Sequence, residues 1–410
     1  MKTLYDLGIA LISVYIRIGS LFNKKLKLLY SGRKEAWEKL KSVRTEEPTI
    51  WIHAASLGEF EQGRPLIESI KNNFPEKKIV LTFFSPSGYE VRKNYDLADH
   101  VIYLPSDTKV NARRFINAVN PEKVFFVKYE FWYNFLHELN KRSIPVYGVS
   151  VIFRKEKVFF KWYGGWFRKM LGFFDHLYLQ DEQSAGLLRS IGITKFTVAG
   201  DTRFDRVKEI AGAASDIEVA ERFSEGYKTI VAGSSWPPDE KILSKYIDKA
   251  PNDVKMIIAP HVIDESHIKQ IESMLNVPFF RITSPPEDPE KYKVMIVNTI
   301  GMLSAIYRYG QIAYIGGGFG IGIHNTLEAA VYGIPVLFGP NYKRFKEACD
   351  LIDAGGGFEI KAFDDFNSIV TEMWEDEGLL EKRGSFAGKY VESMCGATAV
   401  IMKDIFSVDI

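Results

Sequence analysis

The chain has 410 residues and near-balanced charge, with 53 Lys and Arg against 52 Asp and Glu. That length is too great for one compact core and suits two domains. The charge balance excludes nucleic-acid binding through bulk charge, and a composition 46% hydrophobic and 26% charged is that of a globular protein. The two cysteines, Cys349 and Cys395, have neither CxxC nor metal-type spacing. A disulfide framework is thereby excluded and a reducing compartment expected.

The first element departs from a plain soluble enzyme. Residues 4–22 read LYDLGIALISVYIRIGSLF, charged only at Asp6 and Arg17, and Lys24, Lys25 and Lys27 follow. The run approaches the roughly 20 apolar residues that span a bilayer. No convincing small-residue cleavage site marks a removed signal peptide. It reads either as a core helix of the first domain or as an anchor. The anchor reading is favoured: a helix lying in or barely crossing the membrane, its charges near the bilayer edge. The lysines would then hold the chain on the cytoplasmic side of that membrane.

Strands and helices alternate after this segment. Apolar, β-branched runs at 49–55, 78–84, 100–104, 123–127 and 146–152 read as strands, and HLYLQ and FTVAG add two more within 176–200. The pattern restarts at 229–232, 255–259, 294–297, 312–315 and 335–338. Such alternation predicts an α/β chain of two Rossmann-like doubly wound domains, with ligands at strand carboxyl ends. The expected division is a membrane-anchor helix and basic flank over 1–30, an N-terminal Rossmann-like domain over 31–207 and a polar linker over 208–225. A C-terminal Rossmann-like domain over 226–385 and a C-terminal helix over 386–410, packing back across the cleft, complete it.

Three motifs carry chemistry. Ser56-Leu57-Gly58-Glu59 follows the first strand. Glu59 there is either a general base or the return arm of a Ser-x-x-Glu capping box, and His53 reads as a satisfied core residue. Gly233-Ser234-Ser235 ends the first strand of the second half. It suits a phosphate at a helix N-terminus, or is a tight turn with a serine cap. Residues 316–328 read GGGFGIGIHNTLE. The glycines, Gly318 among them, let the main chain pass close to a ligand, but the spacing fails the dinucleotide pattern at Ile323. Glu328 either accepts from ribose hydroxyls with Asn325 beside it, or is Asn325's capping partner.

In order along the chain, HAASLGEFEQGRPLI, YEFWYN, GDTRFD, AGSS and GGGFGIGIHNTLEAAVYGIPVLFGPNY resemble the transferases that add 3-deoxy-D-manno-octulosonic acid (Kdo) to lipid A. The resemblance runs from the N-terminal segment to about Gly357. It implies two Rossmann-like domains in the GT-B arrangement, CMP-Kdo as donor, a lipid A precursor as acceptor, inversion at the anomeric centre, and neither metal nor cofactor. It further implies Glu59 as base and Ser234, Ser235, Asn325 and Glu328 in the CMP site. Lys128, Tyr133, Asp201, Pro260-His261-Val262 and Met302 depart from the family pattern. Arg203 and His261 become the candidate phosphate cations, with Lys343 and Arg344 as a further charge pair. A transferase or epimerase acting on a uridine sugar nucleotide is the alternative, and a catalytically inert membrane scaffold is the third reading.

Overall fold

A computed structural model describes residues 1–43, 47–320 and 322–409. The chain forms two compact units, Met1–Arg206 with Cys395–Ile410, and Val207–Met394.

The first unit is built on seven strands: β1 (Thr49–Ala54), β2 (Lys78–Phe83), β3 (His100–Tyr103), β4 (Pro121–Val127), β5 (Val146–Val151), β6 (His176–Leu179) and β7 (Phe196–Val198). Their order is β3-β2-β1-β4-β5-β6-β7, and every pairing is parallel. Every residue of β1 is buried, as a parallel strand covered on both faces requires. The order reverses between β1 and β4, so their carboxyl ends open the crevice where such sheets bind ligands. Three helices matter below: α1 (Lys2–Gly19), α2 (Lys24–Val43) and α3 (Leu57–Asn73).

The second unit repeats the design with β8 (Lys228–Ser235), β9 (Val254–Pro260), β10 (Phe279–Arg281), β11 (Val294–Ile296), β12 (Ile312–Ile315), β13 (Val336–Phe338) and β14 (Gly357–Glu359). The order is β10-β11-β9-β8-β12-β13-β14, again parallel. Its reversal lies between β8 and β12. All twelve expected strands form. The three-residue edge strands β10 and β14 were not expected, because so short a run carries no readable period.

Two boundaries differ from expectation. The stretch 208–225 is not a linker: it is helical over Thr202–Ala213 and Glu218–Ser224. It is tied down by Arg308, which donates to Asp216 and to the carbonyls of Ala211 and Ala214, and by the Tyr309 hydroxyl, which accepts from Ile217 N–H. The C-terminal segment is not one helix. Glu377–Ser393 belongs to the second unit, Gly396 breaks the path at φ 110°, and Ala397–Phe406 joins the first unit. There Ile401 and Met402 are buried, and Phe406 lies 5.5 Å from Phe74 and 6.2 Å from Phe125 between ring centroids.

Helix α1 has two apolar faces. Ile9 and Ile16 are buried, the Tyr5 hydroxyl donates to Asp107 at 2.5 Å, and Asn134 Nδ2 donates to Asp6 at 3.0 Å. These ties make α1 part of the first unit. On the other side Leu4, Leu7, Leu11, Val14, Ile18, Leu21 and Phe22 are exposed, a seam repeating every three or four residues. Among the described residues no single helix is long and apolar enough to cross a membrane, although α1 and α2 as far as Lys41, bent by 116°, are so together by length and composition.

Asp205 holds the returning C-terminal helix. One carboxylate oxygen accepts from Gly396 N–H at 2.5 Å, and the other from Thr398 N–H and Oγ1–H, both at 2.7 Å. Removing a charged acceptor from buried donors destabilises by about 1–3 kcal/mol. Asp205→Ala is therefore expected to lower the urea midpoint of the first unit without changing the slope, and an unchanged midpoint would show that the cap contributes nothing.

Candidate active site

Glu59 opens α3 at the carboxyl end of β1, and its Oε2 accepts from Ser56 N–H at 3.1 Å. The capping arm is thus real, but it occupies one oxygen only, and the Ser56 side chain makes no cap bond in return. Burial and the neighbouring Glu130 carboxylate raise the Glu59 pKa above the usual range, against the opposing pull of His53 and Lys128. The carboxylate can therefore cap the helix and also hold a proton more readily than an ordinary glutamate.

Behind Glu59 lies a polar line that the sequence did not reveal. His53 is fully buried, yet both ring nitrogens are satisfied. Nδ1 meets Thr82 Oγ1 at 2.8 Å and Thr82 O at 3.1 Å, and Nε2 meets Glu130 Oε2 at 3.1 Å. The same Glu130 oxygen accepts from Trp132 Nε1 at 2.6 Å. Glu130 is reached through Lys128, which takes φ 66° as the chain leaves β4. That left-handed conformation is uncommon for a residue with a side chain. The one signal available in sequence was a histidine inside a strand buried on both faces, which must find partners.

Arg203 is not a free phosphate cation. It belongs to the first unit, and its Nε and Nη2 donate to Asp201 at 3.0 and 2.8 Å. Asp201 also accepts from Gln62 Nε2 at 3.0 Å, and Thr202 Oγ1 donates to Gln62 O at 2.5 Å. Together with Asp205, the GDTRFD segment therefore acts as a structural clasp.

The second unit gathers the other candidates at the β8–β12 reversal. Strand β8 runs on through Ser235, with Ser234 at φ 52° where the register shifts. Ser235 is buried and its hydroxyl donates to Glu240 at 3.0 Å, so that hydroxyl is not available to a phosphate. The helix that follows begins with Pro237 and Pro238, which have no N–H, and Trp236 N–H is taken by Asp239 at 2.9 Å. Few free amides remain at that helix start, contrary to the expected phosphate cradle. Gly318 faces backbone, since an added Cβ would lie 2.5 Å from Gly339 Cα. Its smallness serves the packing of two turns.

Glu328 is held in place: Oε1 accepts from Asn325 Nδ2 and Oε2 from Ser304 Oγ, both at 2.9 Å. Asn325 Oδ1 accepts from Leu327 N–H at 3.2 Å, so Asn325, one residue before the N-cap Thr326 of the short helix Leu327–Ala330, braces that helix start and also orients the carboxylate. Within the glycine-rich motif, Ile321 lies outside the described residues. Arg344 lies against this loop, where an added Cβ on Gly322 would come within 2.4 Å of its Nη2.

His261 stacks on Trp236 at 4.7 Å and on His324 at 4.4 Å between centroids, and Trp236 Nε1 donates to His324 Nε2 at 3.1 Å. A nitrogen that accepts a hydrogen bond carries no proton, so His324 is the neutral Nδ1–H form. Burial, then the His261 charge, lower its pKa to about 4; burial also lowers that of His261. Neither Trp236 nor His324 stood out in the sequence. An unfolded histidine titrates near 6.5. Between pH 4 and 6.5 the unfolded chain therefore binds a proton that the folded one refuses, and stability falls as pH falls through that window. His324→Gln is expected to show a shallower loss of melting temperature from pH 6.5 to 4 than the wild type. Parallel curves would mean that His324 is protonated in the fold.

A family model described as 3-deoxy-D-manno-octulosonic-acid transferase (kdotransferase) matches residues 32–206. The 3-deoxy-D-manno-octulosonic acid transferase of Aquifex aeolicus is 28% identical over 362 residues, covering 86% of this chain and 94% of that protein. The enzyme of the same name from Chlamydia trachomatis serovar D is 28% identical over 363 residues, covering 84% and 83%. That of Haemophilus influenzae is 25% identical over 325 residues, covering 76% of each. Among solved structures, the UDP-GlcNAc 2-epimerase of Neisseria meningitidis bound to UDP-GlcNAc superposes with a TM-score of 0.61 at 14% identity, over 88% of this chain and all of that one. That likeness establishes two Rossmann-like units of the GT-B kind. These relatives cover most of this chain, which is thus similar over both units to the 3-deoxy-D-manno-octulosonic acid transferases.

Proposed function

We propose that the protein transfers Kdo from CMP-Kdo to a lipid A precursor at the cytoplasmic face of the inner membrane, with Glu59 as general base. The observation that carries this reading is Glu59 itself, partly buried at the sheet reversal and raised in pKa by burial and by Glu130. In the reaction an acceptor hydroxyl oxygen bonds to the anomeric carbon of Kdo. The bond from that carbon to the phosphate oxygen breaks, CMP departs with the electron pair, and the hydroxyl proton passes to Glu59. The Glu328–Asn325 pair suits the ribose hydroxyls, as two fixed groups with hydrogen-bonding capacity at a strand-end loop. Arg344 beside Gly322 is better placed than Arg203 to meet the phosphate, because Arg203 is committed to Asp201.

Glu59→Gln keeps the shape and the oxygen that accepts from Ser56 N–H. Transfer should fall on the order of 10²–10⁴-fold, the usual worth of a positioned base, with the melting temperature near wild type. A variant that transfers Kdo at the wild-type rate eliminates Glu59 as the base. A donor panel accompanies this test: turnover of a uridine sugar nucleotide in place of CMP-Kdo would replace the donor assignment.

The membrane assignment rests on the exposed seam of α1 and on Trp162 and Tyr163, which are 92% and 54% exposed. Their loop lies beside α1, since Trp166 is 5.5 Å from Tyr5 between centroids. An interfacial helix presents such a face to lipid and keeps its other face on protein. Deleting residues 1–22 would strip Ile16 from the core and Tyr5 from Asp107, so surface substitution is the cleaner experiment. The quadruple change Leu4→Ser, Leu11→Ser, Ile18→Ser and Trp162→Ser is expected to release the protein from anionic vesicles in cosedimentation while its melting temperature holds. Undiminished cosedimentation would place the membrane contact elsewhere.

A further inference from the structure

A second site lies in the first unit, under α1, and neither the family motifs nor the reaction above uses it. Its central group is Arg33, on α2. Gly32 sets α2 close to β3, because an added Cβ there would meet the Tyr103 ring at 2.2 Å. Arg33 is consequently pressed inward. Its guanidinium lies 4.7 Å from the Phe84 ring centroid, and Nη1 donates to Ser106 Oγ at 3.3 Å. Nε is buried with no hydrogen-bond partner among the described residues. Among the described residues no carboxylate pairs with the group; burial pulls its pKa down to about 10, against the opposing pull of the Tyr103 phenol. A half-buried cation with neutral partners is costly unless an anion completes it.

Space for that anion is present. Arg33, Ser13 and Ser106 line a small cavity of about 30 Å³ whose walls are otherwise mainly apolar, with Ile9, Ile12, Phe84 and Trp132 among them. The same three residues line an adjoining, larger cavity of about 280 Å³, which adds Lys34 and Asn111 and has the room for a phosphate group. Asp107 also reaches the first cavity, but its carboxylate is engaged by the Tyr5 hydroxyl and by the N–H groups of Asn134 and Phe135 at 2.5–3.0 Å. One cavity wall is α1, whose Ile12 is 49% exposed and whose outer seam is apolar. Cationic and hydroxyl groups thus meet an apolar wall that leads outward.

We propose that Arg33, with Ser106 and Lys34, binds the phosphate of an amphiphile whose hydrocarbon chains lie along α1. A planar guanidinium gripping phosphate oxygens suits Arg33, and a flexible ammonium at the rim suits Lys34. The cavity adjoins the candidate base. Phe84 stacks on Trp132 at 5.0 Å, and Trp132 donates to Glu130 at 2.6 Å. An occupant of the site therefore touches the same aromatic pair that holds the Glu130 carboxylate.

The experiment needs neither sugar donor nor turnover, so its failure leaves the transferase reading untouched. Full-length protein is titrated calorimetrically with monomeric dihexanoyl phosphatidic acid, with the matching diacylglycerol, and with inorganic phosphate. Phosphatidic acid is expected to bind more tightly than either control. Arg33→Gln should weaken it roughly ten- to a hundredfold, the usual effect of losing a charged hydrogen-bond donor, and leave diacylglycerol unchanged. Lys34→Gln, on the surface and neutral to folding, should weaken it several-fold, and this variant carries the test if Arg33→Gln does not fold. Equal phosphatidic acid affinity in wild type and both variants overturns the site. Inorganic phosphate binding as tightly as phosphatidic acid overturns the amphiphile.

Discussion

The buried imidazole of His53 is the constraint around which the first unit is arranged. It sits in the central strand of the sheet, where water cannot reach it, so each ring nitrogen needs a protein partner. Thr82 on β2 supplies one and Glu130, just past the end of β4, supplies the other. These partners come from both sides of β1, and the second is possible only because the chain turns through a left-handed Lys128. The carboxylate so fixed bears on Glu59 across the crevice mouth and raises its proton affinity. A helix-capping glutamate thereby gains proton affinity, as the proposed base role requires. The two roles compete in a reading of the sequence, but they use different properties of one side chain: one oxygen as acceptor, and the carboxylate as a whole for its proton.

The second unit solves a similar problem with rings. Trp236, His261 and His324 come from the ends of β8, β9 and the glycine-rich loop, and they stack because the glycines after β12 let that loop fold back. An added Cβ on Gly316 would lie 2.2 Å from Ser234 O, so the approach of the loop to β8 requires glycine there. The indole N–H selects one tautomer of His324 and keeps it neutral. The result is an aromatic stack with two imidazoles of lowered pKa, while Arg344 lies against Gly322 of the same glycine-rich loop.

Helix α1 shows how one element can belong to two surroundings. Its inner face is fastened by Tyr5 and Asp6, polar groups that a bilayer interior would penalise and that here have partners on the protein. Its outer face offers an apolar seam that the protein itself leaves open. The same helix walls the cavity that contains Arg33, so an apolar surface and a phosphate-seeking cation share one edge of the unit.

The alternation of apolar runs determined the two parallel sheets by itself, because strands buried on both faces are written as continuous β-branched and apolar segments. The positions of Glu59, Asn325 and Glu328 at strand ends were legible for the same reason. Contacts between residues distant in sequence were not. Glu130 lies 77 residues from His53, and Asp239 lies 78 from the Gly317 N–H that it accepts. Local patterns also misled where tertiary partners took over: Ser235 was claimed by Glu240, Arg203 by Asp201, and the polar stretch 208–225 by Arg308. Period and propensity are properties of a segment, and so sequence decides which elements form. Which polar groups are left free for a ligand depends on what the fold brings against them, and only the tertiary structure decides that.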